Sequence, residues 1–216
     1  SHHECKNTRH RDSAPTPHTA ERYAPLWMIL YNMSDILKLT SERLTLRPIT
    51  LGDSNEIFYY RSDSETNKYQ GWIPQKIDEV IEFIQNKVSP IIDKNGTWYQ
   101  LVITLNQNGK IIGDVGLHFF DNENKQVEIG CTLSKDYHGK GYATEAITNV
   151  LDYLFNTLGK HRIIASIDPR NKNSIRLFQR LKFRKEAHFK DSILIENKWM
   201  DDVIYAVLRC EWSVKS

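Results

Sequence analysis

One short stretch limits the possible folds more than any other, because the hydrophobic period changes within it. From Gln126 to Ser134 the apolar residues Val127, Ile129, Cys131 and Leu133 alternate strictly with Glu128, Gly130, Thr132 and Ser134. A period of two marks a strand with one buried face. From Tyr142 to Leu158 the apolar residues Ala143, Ala146, Ile147, Val150, Leu151, Leu154 and Leu158 recur every three or four positions, and Gly159 can stop the run. That is the stripe of an amphipathic helix. Between the two lies His138-Gly139-Lys140-Gly141. Glycines there admit positive φ and close packing, so several N–H groups can converge on one point. The free N–H groups of the helix's first turn point the same way, and the helix dipole adds roughly half a positive charge. Strand, glycine turn and helix start together predict a phosphate or pyrophosphate cradle, with an ordinary two-glycine turn as the alternative. A nucleotide P-loop is excluded because Gly141, not Ser or Thr, follows Lys140. The dinucleotide fingerprint is excluded because position 144 is Thr144 rather than glycine.

The flanking segments predict a mixed α/β domain with a mainly antiparallel sheet. Arg43 to Arg47 alternates and stops at Pro48; Trp98 to Leu105, Lys110 to Phe120 and Gln126 to Ser134 form a meander, with Asn108-Gly109 as a hairpin signal. Asp53 can cap a helix through Asp63, and a second helix fits Ile77 to Ile92, with Val80, Ile81, Phe83 and Ile84 apolar. After the long helix come a buried strand at Arg162 to Ile167, a short helix from Ser174 to Lys182, and strands near Phe183 to Lys190 and Trp199 to Arg209. The total is about six to seven strands flanked by about four helices.

Residues 1–32 read differently, with four of the eight histidines, three of the seven prolines and no glycine. The histidines lack ligand spacing. This stretch is expected to be a leader outside the fold, with a natural start at Met33 and one domain over 33–216; the alternative is an extension whose Trp27 and Leu30 dock on the domain. The 29 Lys+Arg against 27 Asp+Glu argue against nucleic acid as a partner. Three scattered cysteines suit a reducing cytoplasm better than a disulfide framework or a zinc site. No apolar run approaches the ~20 residues of a membrane span. Neither a metal nor a membrane partner is expected.

Tyr137-His138-Gly139-Lys140-Gly141-Tyr142-Ala143-Thr144-Glu145-Ala146 resembles the acetyl-CoA pyrophosphate motif of GNAT-superfamily N-acetyltransferases, Q/R-x-x-G-x-G/A, with His138, Gly141 and Ala143 in the defining places. His138 departs from the usual Gln or Arg, a small matter if backbone amides do the binding. Asp168 to Ser174 with Leu181-Lys182-Phe183 resembles that superfamily's next motif. Asn197-Lys198-Trp199-Met200-Asp201-Asp202 with Tyr205 is similar to the Rim-type branch of ribosomal-protein-alanine and small-amine acetyltransferases. The likeness spans about Leu39 to Trp212. It implies the GNAT fold, acetyl-CoA as co-substrate, an amine acceptor (a small molecule or a protein N-terminus) and a monomer or homodimer.

The resemblance also implies site roles. Residues 138–144 would hold the pyrophosphate (His138, Gly139, Lys140, Gly141, Tyr142, Ala143 and Thr144). The backbone of Cys131, Thr132 and Leu133 would hold the pantetheine arm like an added strand, with Asn171, Ser174 and Phe178 nearby. Acetyl transfer needs a neutral amine, a stabilised oxyanion and a protonated leaving thiolate. Deprotonating a lysine-like amine at neutral pH costs about 4–5 kcal/mol, an α-amine only about 1 kcal/mol. Glu128 is the candidate base, its carboxylate pointing away from the apolar stripe; the alternative is an ordinary solvent-facing glutamate. Where many relatives place an acidic tyrosine this chain has Phe178, which cannot donate a proton. Ser174 is then the candidate partner of the thiolate, or a cap for the short helix, or both; Tyr205 is a further hydroxyl. Cys131 reads as core before nucleophile, His118 and His188 as structural, and Trp72 as acceptor wall or packed aromatic. The leading function is an N-acetyltransferase working by direct transfer in a ternary complex. The alternatives are a non-catalytic acyl-CoA sensor, to which Phe178 lends some support, and a phosphate-binding module for nucleotides.

Overall fold

The computed structural model describes residues 37–195 and 197–212. The expected leader at 1–32 and the start at Met33 lie outside the described residues. Eight strands form one sheet in the order β1-β2-β3-β4-β5-β6-β8-β7. They are β1 (Leu39–Thr40), β2 (Leu44–Pro48), β3 (Thr97–Leu105), β4 (Ile111–Phe120), β5 (Gln126–Leu133), β6 (Arg162–Ile167), β7 (Arg184–Ile195) and β8 (Lys198–Leu208). Among the described residues five α-helical segments flank it: α1 (Ser54–Arg61), α2 (Ser64–Asn67), α3 (Ile77–Asn86), α4 (Tyr142–Asp152) and α5 (Lys172–Arg180). The mixed, mainly antiparallel sheet is the one expected. The strand beyond expectation is β1, whose two residues are too few to show a period.

Every neighbouring pair is antiparallel except β5 and β6, which run parallel. That pairing covers only Gln126↔Arg162, Val127↔Ile163 and Glu128↔Ile164. Beyond Glu128, β5 keeps β4 as its partner and β6 keeps β8, so the sheet divides. The main core lies on the α4 face. There Val127, Ile129 and Leu133 of β5 meet Ala146, Ile147, Val150 and Leu151 of α4, with Ile163, Ala165 and Tyr205 from the other half of the sheet. Burying such side chains contributes roughly 1.5–3 kcal/mol each. The opposite face carries a smaller cluster, Ile57, Tyr60, Val80 and Val102. Beside it, buried Asp114 accepts hydrogen bonds from Tyr60 Oη (2.5 Å), Gln100 Nε2 (2.5 Å) and the Arg61 guanidinium. A charge pair this deep is tolerated because each partner's desolvation is offset by the other and by the added donors.

Several local expectations are corrected. Asp53 does not cap α1 with its side chain; its carboxylate turns back to the Thr50 amide (2.8 Å) and the Arg47 guanidinium (2.7 and 2.8 Å), a stronger charge-assisted set. The helix begun at Ile77 ends at Asn86 rather than Ile92, because Val88 bridges to Trp98 and Pro90 cannot continue a helix. The long helix closes with a π turn over Tyr153–Thr157. The short helix starts at Lys172, capped by Asn171, whose side-chain oxygen accepts from the Ser174 amide at 3.1 Å. Ser174 is therefore not the cap. Strand β7 continues to Ile195, well past Lys190, paired with β8 on either side of irregularities between Lys185 and Ala187 and between Phe189 and Ile193.

Candidate active site

The division of the sheet opens a cavity of about 1140 Å³. One wall is the end of β5 (Cys131, Thr132, Leu133), another the glycine turn and first turn of α4, and a third α5 with Asn171. Residues of α2 and its C-terminal side, including Tyr69 and Gln70, cover it.

The turn has the conformation its sequence predicts. Gly139 and Gly141 sit at φ 74° and 83°, where an L side chain is strained. From Gly139 to Thr144 no amide nitrogen donates to an acceptor among the described residues; the ladder of α4 begins with Glu145 N donating to Gly141 O at 3.0 Å. The amides of Gly139, Gly141, Tyr142, Ala143 and Thr144 therefore belong to cavity-lining residues and have no acceptor among the described residues. A Cβ built on Gly139 would meet nothing within 4 Å, so the approach to the turn is open. These features fit a diphosphate held by main-chain donors at a helix N-terminus. The His138 imidazole plays a different part: its Nε2 donates to the Leu133 carbonyl at 2.9 Å, tying the turn to the end of β5.

A clamp that the sequence did not reveal holds the turn from behind. Glu145 Oε1 accepts from the Arg43 amide (2.9 Å) and the Ser41 hydroxyl (2.8 Å). The Arg43 guanidinium donates to Glu145 Oε2 (2.6 Å) and to the Lys140 carbonyl (3.0 Å), and lies 4.4 Å from the centre of the Tyr142 ring. Burial works against charge on Glu145, but these donors outweigh it and hold the carboxyl below its ordinary value. The available signal was an acidic residue in the first turn of a helix whose N-terminus must stay free; its partner lies 102 residues away.

The proposed chemical groups do not all meet at the cavity. Ser174 and Asn171 line it; Glu128, Lys140, Phe178 and Tyr205 do not. Lys140 turns outward, its Nζ donating to the Asp136 carbonyl at 2.8 Å. Phe178 is buried edge-on against Phe183, 5.0 Å between ring centres, as expected of an apolar ring on the inner stripe of α5. Tyr205 pairs with Ala165 and lies in the α4-face core, on the side of the sheet opposite Glu128, whose partner is Ile164. Glu128 is the last β5 residue joined to β6, at the vertex of the split. Burial pushes its carboxyl above the ordinary value, the nearby Asp202 adds to this, and His118 partly opposes it. Cys131 packs against the core, and burial together with the Asp114 charge pushes its thiol up to about 12, so it stays protonated. Trp72 stacks on Phe83 at 4.8 Å beneath Arg61, and His188 bonds Asp201 at 2.8 Å. Among the described residues no group of three or more His, Cys, Asp or Glu is placed to hold a metal ion.

The acetyltransferase (GNAT) domain model matches residues 43–184, which include the turn, the divided sheet and α5. The chain belongs to the GNAT acetyltransferases. It is 31% identical over 179 residues to the uncharacterized N-acetyltransferase p20 of Bacillus licheniformis, covering 81% of this chain and 98% of that one. It is 38% identical over 85 residues to the [ribosomal protein uS5]-alanine N-acetyltransferase of Escherichia coli, which covers 39% of this chain and 44% of that enzyme. A GNAT-family acetyltransferase from Bacillus anthracis superposes with a TM-score of 0.72 at 28% identity, over 81% of this chain and all of that one. Family membership supports acetyl-CoA binding and acetyl transfer; the free amides of the glycine turn fit that co-substrate.

Proposed function

We propose that this GNAT protein is a cytoplasmic N-acetyltransferase of the Rim type that moves the acetyl group of acetyl-CoA directly to a primary amine. The observation that carries the reading is the run of amides from Gly139 to Thr144 without acceptors among the described residues, set where β5 and β6 part. Acetyl-CoA, when bound, supplies an activated thioester. The chain's own residues do the rest. The turn amides orient the diphosphate, and the β5 edge at residues 131–133 pairs with the pantetheine arm. Glu128 accepts the proton of the amine at the vertex of the split. The Ser174 hydroxyl, on the cavity wall and released from capping by Asn171, hydrogen-bonds the departing sulfur.

The partial match to the uS5-alanine enzyme supports an α-amine acceptor, and so does the energetics. An α-amine needs only about 1 kcal/mol to become neutral, within reach of one carboxylate whose proton affinity burial has raised. The test is release of free thiol from acetyl-CoA with a panel of primary amines, including alanine-initiated peptides. Turnover that falls ~10²-fold in Glu128→Gln, the lower end of what a general base contributes, supports the assignment. Full turnover of Glu128→Gln across pH 6–9 refutes Glu128 as base. Coenzyme A binding with no thiol release from any acceptor would instead favour a sensor.

A further inference from the structure

Strand register places Trp98, His118 and Glu128 in one row across β3, β4 and β5, on the face of the sheet away from α4. The Trp98 indole and the His118 imidazole are nearly parallel, 4.7 Å between centres with 9° between planes, and the Phe120 ring lies 5.7 Å from the imidazole at 28°. The stack on Trp98, with Phe120 alongside, restricts rotation of the imidazole. Its Nδ1 stands 3.8 Å from Glu128 Oε2, ion-pair distance. The two side chains are about equally exposed, 29% and 28%, so neither is buried away from the other's field.

We propose that His118, stacked on Trp98 with Phe120 alongside, is the positioning residue for Glu128, fixing the direction of the carboxylate at the vertex of the split sheet. The inference rests on the reading of Glu128 as base. Two titratable groups face Glu128: His118 from β4, and Asp202 on the same face of β8. The adjacent residue of β6, Ile164, carries no charge. The two act in opposite senses. His118 lowers the proton affinity of Glu128 and Asp202 raises it. Asp202 is itself fixed, its Oδ1 accepting from Ser166 Oγ at 2.9 Å and from Ile167 N at 3.0 Å.

That opposition gives a test by sign. The full chain is labelled with ¹³C at the glutamate side-chain carboxyl, and the Glu128 resonance is assigned by its loss in Glu128→Gln. Its titration is followed in wild type, His118→Gln, Trp98→Leu and Asp202→Asn. The midpoint is expected to move to higher pH in His118→Gln, less far but in the same direction in Trp98→Leu, and to lower pH in Asp202→Asn. The acid limb of the turnover profile with an alanine-initiated peptide should follow the same order, with kcat reduced ~10-fold in His118→Gln and KM for acetyl-CoA unchanged. An unmoved midpoint in His118→Gln overturns the proposal, and so does a shift of the same sign in His118→Gln and Asp202→Asn. Should His118→Gln fail to fold, Trp98→Leu decides by the same criterion. Retained turnover in Glu128→Gln overturns the base assignment alone, because the titration still reports whether His118 governs the carboxylate.

Discussion

Removing the Arg43 side chain tests whether the diphosphate site depends on a clamp from outside the turn. In Arg43→Ala the turn loses the guanidinium bonds to the Lys140 carbonyl and Glu145 Oε2 and the contact over the Tyr142 ring. Glu145 keeps the Arg43 amide and the Ser41 hydroxyl, so α4 should remain anchored. The Arg43 side chain is 42% exposed, which places its ion pair near the surface value of ~1 kcal/mol or less. The contact over Tyr142 adds about 0.5–1 kcal/mol and the neutral hydrogen bond to Lys140 about as much. Together ~1.5–2.5 kcal/mol would no longer hold the amides convergent, corresponding to a ~10–60-fold weaker hold on coenzyme A. Titration calorimetry with coenzyme A measures this directly, and the unfolding midpoint without ligand reports any loss of the fold itself. Arg43→Lys should recover only part of the affinity, since an ammonium cannot span both acceptors as the planar fork does. Affinity within twofold of wild type in Arg43→Ala would refute the clamp.

Four shorter expectations follow from the same geometry. Gly141→Ala forces an alanine to φ 83° and brings its Cβ to 3.4 Å from Arg43 Nη2, so it should cost ~1–2 kcal/mol in chemical denaturation and weaken coenzyme A binding as well. Gly130→Ala meets nothing within 4 Å and should leave stability unchanged or raise it by ~0.5–1 kcal/mol; turnover assays should show a higher KM for a bulky amine if that face receives the acceptor. Asn171→Ala should lose ~1 kcal/mol of stability as a lost cap, whereas Ser174→Ala should unfold like wild type and fall in kcat; the reverse pattern would return Ser174 to a structural role. Activity should fall as pH drops through the raised Glu128 value, because the base is then protonated; an acid limb at or below the ordinary glutamate value of 4.5 would contradict this.

What the sequence disclosed was periodic or glycine-bearing. The alternation of Val127, Ile129, Cys131 and Leu133, the stripe of α4 and the two positive-φ glycines all appear where the pattern placed them. Boundaries governed by distant contacts were not legible. Nothing near Ile77 reveals that Val88 must leave the helix to meet Trp98, and Pro90 was the only local hint. The same holds for the site. The turn at residues 138–144 was legible because positive φ is written in glycine. Arg43, Ser41 and Glu145 escaped because a hydrogen bond between residues 102 apart leaves no spacing to read. Phe178 and Tyr205 were drawn toward the site by motif position, while their burial belongs to the core.

The three-residue parallel pairing of β5 with β6 has a consequence for how such a protein can change over time. A sheet that unzips partway offers its guests peptide groups rather than side chains, and peptide groups survive almost any substitution that preserves the pleat. On the proposed reading, exchanging side chains along β5 should therefore leave the carrier's hold largely intact, whereas losing the His138 tie to Leu133 should loosen it.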